Sequence, residues 1–301
     1  MLLQLFLQLA LPILFIFILW RARFSHKAEW LANIIPLAIG IAFVFITARW
    51  DMFSYYLRWV GLIAFSLAVY KSYDRITEDP EESYTLKWGN LLPTIIAVVF
   101  LGWLTMNSLL GYIPPKGAVD LAYPLQGRAF YIGGGGNSPW INAHQRAYAQ
   151  SYALDILALN IFGSSSDVFR SGELDRYTIF GEPIYSPCNG TVIDAIDGFP
   201  DQPIGSRDEV NLAGNYVTLD CEGVAVLLAH MQMGSVEVQT GDAVTIGQLL
   251  GRVGNSGNTS QPHLHIHATT GSTVPNLLDG EPVPITFDGR FLVRNQLFNG
   301  N

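Results

Sequence analysis

Charge is scarce in this chain of 301 residues: 14% are Asp, Glu, Lys or Arg, whereas 50% are hydrophobic. That balance excludes a uniformly soluble protein and predicts membrane spans in part of the sequence. The scarcer sign is positive, with 17 Lys and Arg against 25 Asp and Glu and a formal net charge of −8. Phosphate backbones are held by basic patches, so nucleic acid is excluded as the main partner. Cysteine is nearly absent. Cys188 and Cys221 are the only two, and without a C-x-x-C pair they exclude a structural cysteine-zinc site. Each falls in or beside a predicted strand, so one disulfide is expected between them in an oxidising compartment.

The apolar residues gather in the first third. Residues 2–20 carry no charge, and further apolar segments cover 31–46, 53–70 and 91–110. These predict four transmembrane helices. No basic residue precedes the first run and no small-residue cleavage site follows it, so a span is expected rather than a signal peptide. Arg21, Arg23 and Lys27 mark the first connection, and Lys71, Arg75 and Lys87 the third, whereas the second offers only Arg49 beside Asp51. The positive-inside rule then places the first and third connections in the cytoplasm and everything after Leu110 outside. The connection from Tyr73 to Lys87, with Asp74, Glu78, Asp79, Glu81 and Glu82, is expected as a solvated cytoplasmic loop. Arg58, near the outer end of the third span, is expected to snorkel or to pair with Asp51.

Pro114 and Pro115 break the last helix and open a linker. Beyond it, short apolar or alternating runs at 184–193, 216–220, 224–230, 236–238, 249–253 and 263–268 predict an antiparallel sheet domain with little helix. Residues 241–251 read as a turn-strand-turn-strand hairpin like those of lipoyl and biotinyl carriers. A carrier needs a Lys at the hairpin tip, and none occurs after Lys116, so that function is excluded. Gly133 to Gly136 lacks the Lys-Ser/Thr of a phosphate loop and is expected as a flexible approach to the site. The tail from 277 to 301 is expected as a closing hairpin.

Half of the six histidines lie in Pro262-His263-Leu264-His265-Ile266-His267, where period two puts three imidazoles on one strand face. His144 and His230 complete the set outside the membrane half. Neutral imidazole is a common zinc ligand, and an imidazole left off the metal can move protons beside it. Together with Asn142-Ala143-His144, Tyr152-Ala153-Leu154-Asp155, Ser186-Pro187-Cys188-Asn189-Gly190-Thr191-Val192, Gly214-Asn215-Tyr216-Val217, Leu228-Ala229-His230-Met231 and Val253-Gly254-Asn255-Ser256-Gly257, these residues resemble the lysostaphin-type, or LytM-type, zinc endopeptidases that act on peptidoglycan. The resemblance runs from about residue 134 to 268.

The resemblance implies Zn2+ held by a His and an Asp of the first motif and the second His of H-x-H, here His144, Asp155 and His265. It implies proton-transfer and oxyanion-stabilising roles for His230 and His263. His267 lies beyond the usual motif and is expected at its edge. One departure stands out: the family spaces its first pair as H-x-x-x-D, but position 151 is Ser, and His144 lies eleven residues before Asp155.

The expected architecture is a mainly β soluble domain, an antiparallel sheet of lysostaphin/LytM type with a lipoyl-hairpin-like half, behind an N-terminal four-helix transmembrane region. The expected bounds are 1–111 for the helices, 112–132 for a linker and lead-in, and 133–301 for a zinc endopeptidase domain. The expected function is hydrolysis of peptide bonds in bacterial cell-wall peptidoglycan by a multi-pass protein of the bacterial cytoplasmic membrane, its C-terminal domain outside. Peptidoglycan peptide and the lipid bilayer are the expected partners, with room for a regulatory membrane or wall-hydrolase partner. The alternative is a catalytically inactive wall-binding or hydrolase-activating module of the same fold. A transmembrane sensor is disfavoured, because the short cytoplasmic connections leave no room for an output domain.

Overall fold

The structure, a computed structural model, describes residues 6–77, 88–168, 171–271 and 279–300. It divides into two compact units, Met1–Trp50 with Tyr56–Leu109, and Asp51–Tyr55 with Leu110–Asn301.

The first unit holds four helices: α1 (Leu11–Arg21, after a π-helical turn over Phe6–Ala10), α2 (Lys27–Thr47), α3 (Leu57–Tyr73) and α4 (Trp88–Leu110). α2 starts where its first turn finds acceptors. His26 Nδ1 accepts from Ala28 N–H at 3.1 Å, and Glu29 in the first turn accepts from Ser25 N–H and Oγ–H. Leu19, Phe24, Ile34, Ile41, Phe65 and Ala68 form the buried core of this unit. The Arg58 guanidinium stacks 3.9 Å over the Phe45 ring, a cation–π contact within the unit.

The expectation of four spans is corrected: among the described residues two helices, Lys27–Thr47 and Leu91–Leu110, are long and apolar enough to cross a bilayer. α3 has 17 residues, about 26 Å at ~1.5 Å per residue, against a hydrocarbon core of ~30 Å. Arg58 and Lys71 lie within that length. α1 has only 11 residues, and positions 2–5 of the expected first span lie outside the described residues. So does the 78–87 part of the expected cytoplasmic loop.

The second unit is β1 (Val119–Leu121), β2 (Ala129–Gly134), β3 (Leu154–Ala158), β4 (Pro183–Tyr185), β5 (Gly190–Ile196), β6 (Asn215–Cys221), β7 (Val224–Met231), β8 (Ala243–Val244), β9 (Leu249–Arg252), β10 (Leu264–Thr270), β11 (Glu281–Val283), β12 (Ile285–Phe287) and β13 (Leu297–Asn299). Nine of them form one sheet in the order β13-β2-β3-β10-β7-β6-β5-β8, with β11 also paired to β10. The helix among its described residues is limited to short 3-10 turns. The stretch 112–132 contributes β1 and the start of β2.

Alternation divides the sheet into a packed face and a face for chemistry. Leu264, Ile266 and Ala268 of β10, Leu154, Ile156 and Ala158 of β3, and Val226 and Leu228 of β7 enter one core. His265, His267 and Asp155 take the opposite phase. Cys188 and Cys221 form a disulfide, Cα atoms 5.9 Å apart, tying the approach to β5 to the end of β6.

The two expected hairpins fare differently: the 241–251 unit does not pair with itself, whereas the tail does turn tightly at Asp288-Gly289, where Phe287 and Arg290 exchange backbone hydrogen bonds at 3.0 Å. β8 pairs with β5 and β9 with β4, so the 241–251 unit is shared between two sheets. The tail likewise distributes its strands: β11 on β10, β12 parallel to β1, and β13 on β2. Residues 277 and 278 of the expected tail lie outside the described ones.

Candidate metal centre

Register brings the first two donors together. β3 and β10 are antiparallel with Asp155 directly opposite His265, and Asp155 Oδ1 lies 3.2 Å from His265 Nδ1. The third donor arrives from outside the sheet: His144 Nε2 lies 2.9 Å from the same Oδ1. The candidate ligand atoms of His144, Asp155 and His265 all lie within 4.8 Å of one another. Two imidazole nitrogens and a carboxylate oxygen suit zinc, whose ~2.0–2.1 Å bonds set tetrahedral ligand atoms roughly 3.3 Å apart. The separations to Asp155, 3.2 and 2.9 Å, lie at and a few tenths of an ångström below that value, and the donor types suit zinc, so the residues fit the metal.

The unusual spacing between His144 and Asp155 is taken up by two 3-10 turns, Ala143–Arg146 and Tyr148–Gln150. Asn142 clamps them. Its fully buried Nδ2 group lies within hydrogen-bond range of the carbonyls of Gly136, Ser151 and Ala153, while its Oδ1 accepts from His144 N–H at 3.1 Å. Gln145 Nε2 adds a bond to Ser151 O at 2.6 Å. The inserted residues therefore lie between β2 and β3 and lead into β3 with His144 turned back over Asp155.

Gly133 to Gly136, expected to be a flexible approach, is instead buried and close-packed. A Cβ at Gly133 would lie 2.3 Å from the Leu157 side chain, and one at Gly134 would lie 3.0 Å from Asp155 Oδ2. The glycines let β2 pass against the residues that hold Asp155.

His230 reaches the site through a backbone irregularity. Asn215 pairs with Met231 and Tyr216 with Ala229, so His230 is the extra residue of a bulge, at φ +64°. Bulges re-aim side chains, and a non-glycine residue in this region is held by its surroundings. Here the holders are the Ala213 carbonyl, which accepts from His230 N–H, and Gly254 N–H, which donates to His230 O, both at 3.0 Å. His230 Nδ1 lies 2.9 Å from Ser256 O and donates to it, which leaves Nε2 for the site. The Gly-Asn-Ser-Gly turn is thus the cradle of His230.

His263 is oriented in the same manner. Its Nδ1 lies 2.8 Å from Gln261 O, and its Nε2 lies 3.5 Å from Asp155 Oδ1. The His230 and His263 rings are 4.8 Å apart. His267 stands behind the cluster, its Nδ1 2.9 Å from His265 Nε2.

Burial and partners set the charges. Burial, then the neighbouring His263 and His265, holds His230 well below the usual imidazole range. Burial likewise lowers His265 to about 4 against the pull of Asp155. For Asp155 burial works against ionisation, but His144 and His263 outweigh it and keep the carboxyl well below its ordinary range. Burial also opposes charge on His144, and there the Asp155 carboxylate wins, raising its pKa. Asp155 and His265 are thus in their metal-binding form across the neutral range, while the raised pKa of His144 sets a proton in competition with metal there.

A cavity of about 780 Å³ opens beside the cluster, with His144, His230 and His265 at one end and Phe199, Tyr216 and Leu227 along its wall. Tyr216 donates to Asp194 at 2.7 Å, and burial together with that carboxylate raises its pKa, so the phenol stays neutral. Thr259 Oγ1 lies 3.1 Å from His263 Nδ1; the sequence reading assigned no role to Asn142, Thr259 or Gln261, and the one available signal was their place two to four residues from a chemically conspicuous histidine.

Residues 174–276 match the model of peptidase family M23, a stretch that contains His230, His263 and His265 and begins after the insertion between His144 and Asp155. Glycyl-glycine endopeptidase ALE-1 of Staphylococcus capitis is 26% identical over 149 residues, 49% of this chain and 35% of that protein. The chain therefore spans about a third of that curated relative. Among solved structures, a zinc containing peptidase from Vibrio cholerae is 18% identical with a TM-score of 0.32, covering 61% of this chain and 40% of that one. The antimicrobial peptidase lysostaphin from Staphylococcus simulans is 17% identical with a TM-score of 0.28, covering 51% and 43%. Residues 174–276 of the unit that carries the candidate metal centre thus match a peptidase family M23 domain, and the chain is similar to lysostaphin-type peptidases over that part.

Proposed function

We propose that the protein is a membrane-anchored, zinc-dependent endopeptidase that hydrolyses peptide bonds of bacterial cell-wall peptidoglycan outside the cytoplasm. The observation that carries this reading is the convergence of His144, Asp155 and His265 on one sheet face, with His230 and His263 beside them at the end of an open cavity. The M23 match supports a peptidase, and the relative named as a glycyl-glycine endopeptidase supports a cell-wall peptide as substrate. The Cys188–Cys221 disulfide supports an oxidising compartment. Two long apolar helices and the basic residues of the connections support a bilayer anchor with the domain outside.

His144, Asp155 and His265 would hold the zinc. When bound, zinc acidifies water and polarises a carbonyl as a Lewis acid. His230 and His263 act by proton movement and hydrogen bonding. With both Nδ1 positions committed to backbone carbonyls, each presents Nε2: one takes a proton from the attacking water and returns it to the leaving amine, and the other, when it also carries a proton on Nε2, donates to the developing oxyanion. Burial keeps His230 neutral, the form a base requires. The cavity wall of Phe199, Tyr216 and Leu227 excludes water on one side of the substrate.

The test is digestion of purified peptidoglycan with the full-length protein in detergent, reading new termini by mass spectrometry. The proposal predicts new amino and carboxyl ends at peptide bonds. Tight wall binding with no new termini would instead indicate an inactive wall-binding module. Reporter fusions after Leu110 should give an extracytoplasmic signal, and a cytoplasmic one would remove the substrate from reach.

A further inference from the structure

Asp51 lies between α2 and α3 in sequence, far from every residue of the cluster, yet the segment Asp51–Tyr55 belongs to the compact unit that carries the site. Its backbone is fastened there. Ser165 N–H donates to Asp51 O at 2.9 Å, Tyr55 N–H donates to Gly163 O at 2.7 Å, and Ser54 Oγ donates to Phe162 O at 2.6 Å. Asp51 is fully buried, so its carboxylate has left water and requires hydrogen-bond donors. Gln261 supplies one: its Nε2 donates to Asp51 Oδ2 at 3.2 Å.

Gln261 is also the residue that orients His263. Its backbone carbonyl accepts from His263 Nδ1 at 2.8 Å, and Thr259 Oγ1 donates to the same oxygen at 2.7 Å. Gln261 precedes Pro262 in the turn before β10 and has no place in the strand ladders. The direction of its carbonyl therefore depends on what holds the residue, and the Asp51 carboxylate is a charged anchor for its side chain.

We propose that Asp51 is a positioning residue for His263, acting through Gln261. Asp51 lies outside the donor set of His144, Asp155 and His265. It holds the Gln261 side chain, whose residue's backbone carbonyl holds the ring with Nε2 towards Asp155. The segment joining two apolar helices is therefore part of the catalytic apparatus, and a domain cut at Leu110 lacks one of its own supports. This rests on the reading of His263 as a group that acts on the substrate.

The experiment uses zinc-loaded full-length protein in detergent and soluble peptides released from purified peptidoglycan. Asp51→Ala should lower kcat by about 10–100-fold, the scale seen when a partner behind an active-site histidine is removed, with KM and zinc content unchanged. Asp51→Asn keeps an oxygen acceptor for Gln261 and should restore most of the loss. Gln261→Ala should reproduce Asp51→Ala, and the double variant should be no slower than either; Gln261→Ala also tests the link should Asp51→Ala fail to fold. In histidine-labelled protein, the His263 ring nitrogen resonances should move in Asp51→Ala while those of His230 stay. Unchanged kcat and an unchanged His263 signal would overturn the proposal, as would additive losses with no rescue by Asn. A His263 signal that moves in Asp51→Ala, together with a wild type that cleaves nothing, would uphold the positioning link and overturn the proposed function.

Discussion

His267 backs His265 ring to ring: its Nδ1 lies 2.9 Å from His265 Nε2, while His265 Nδ1 faces Asp155. Both rings are buried on the same face of β10. A hydrogen bond on the far nitrogen of a ligand imidazole fixes its tautomer and direction. His267→Ala should therefore weaken zinc binding by about 10–100-fold while leaving kcat near normal at saturating zinc. Chelator competition checks the affinity. Wild-type affinity in that variant would place His267 outside the metal's support.

Replacing His230 or His263 should separate chemistry from metal binding. Neither belongs to the donor set of His144, Asp155 and His265, so zinc content should hold while turnover falls by ~10²–10⁴-fold. Metal analysis beside initial rates decides it, and parallel loss of zinc and activity in both variants would show that they are ligands.

Stability of the metal-free protein should fall with acid. His230 and His265 have depressed pKa values, so the folded state resists protons that the unfolded chain accepts below about 6.5. Their contribution is fully present above that value and is lost as pH falls towards 4; from His265 alone the loss is roughly 3 kcal/mol. His144 runs the other way: its raised pKa favours folding below 6.5 and loses that effect as pH rises through the folded value. Denaturation of chelator-treated protein at pH 7 and 5 should show lower stability at pH 5, and equal stability would contradict the buried neutral pair.

The disulfide should carry substantial stability. Cys188 and Cys221 close a loop at a sequence separation of 33, worth about 3–4 kcal/mol in a chain-entropy account. Cys188→Ser should lower the denaturation midpoint by a corresponding amount without altering zinc content. Two free thiols in the non-reduced protein would remove the basis for this prediction.

What was legible in the sequence follows from physics of short range. The H-x-H alternation could be read because strand side chains repeat every two residues, and β10 keeps that phase with Leu264 and Ile266 in the core. The apolar segments could be read as helices, but span length depends on where each helix ends, and α3 stops short with Arg58 and Lys71 inside it. The pairing of β12 with β1 joins residues more than a hundred positions apart and leaves no local mark. Asn142 and Gln261 were illegible for a similar reason: an amide gains meaning only from the carbonyls and carboxylate that the fold places around it.

The most direct test of the account is zinc content and peptide-bond cleavage measured together in wild-type protein and in His144→Ala, because His144 is the ligand with the displaced spacing. The wild type should carry about one zinc per chain and cleave peptidoglycan peptides, and the variant should lose both metal and cleavage. Full zinc occupancy with normal cleavage in His144→Ala would contradict the assigned centre.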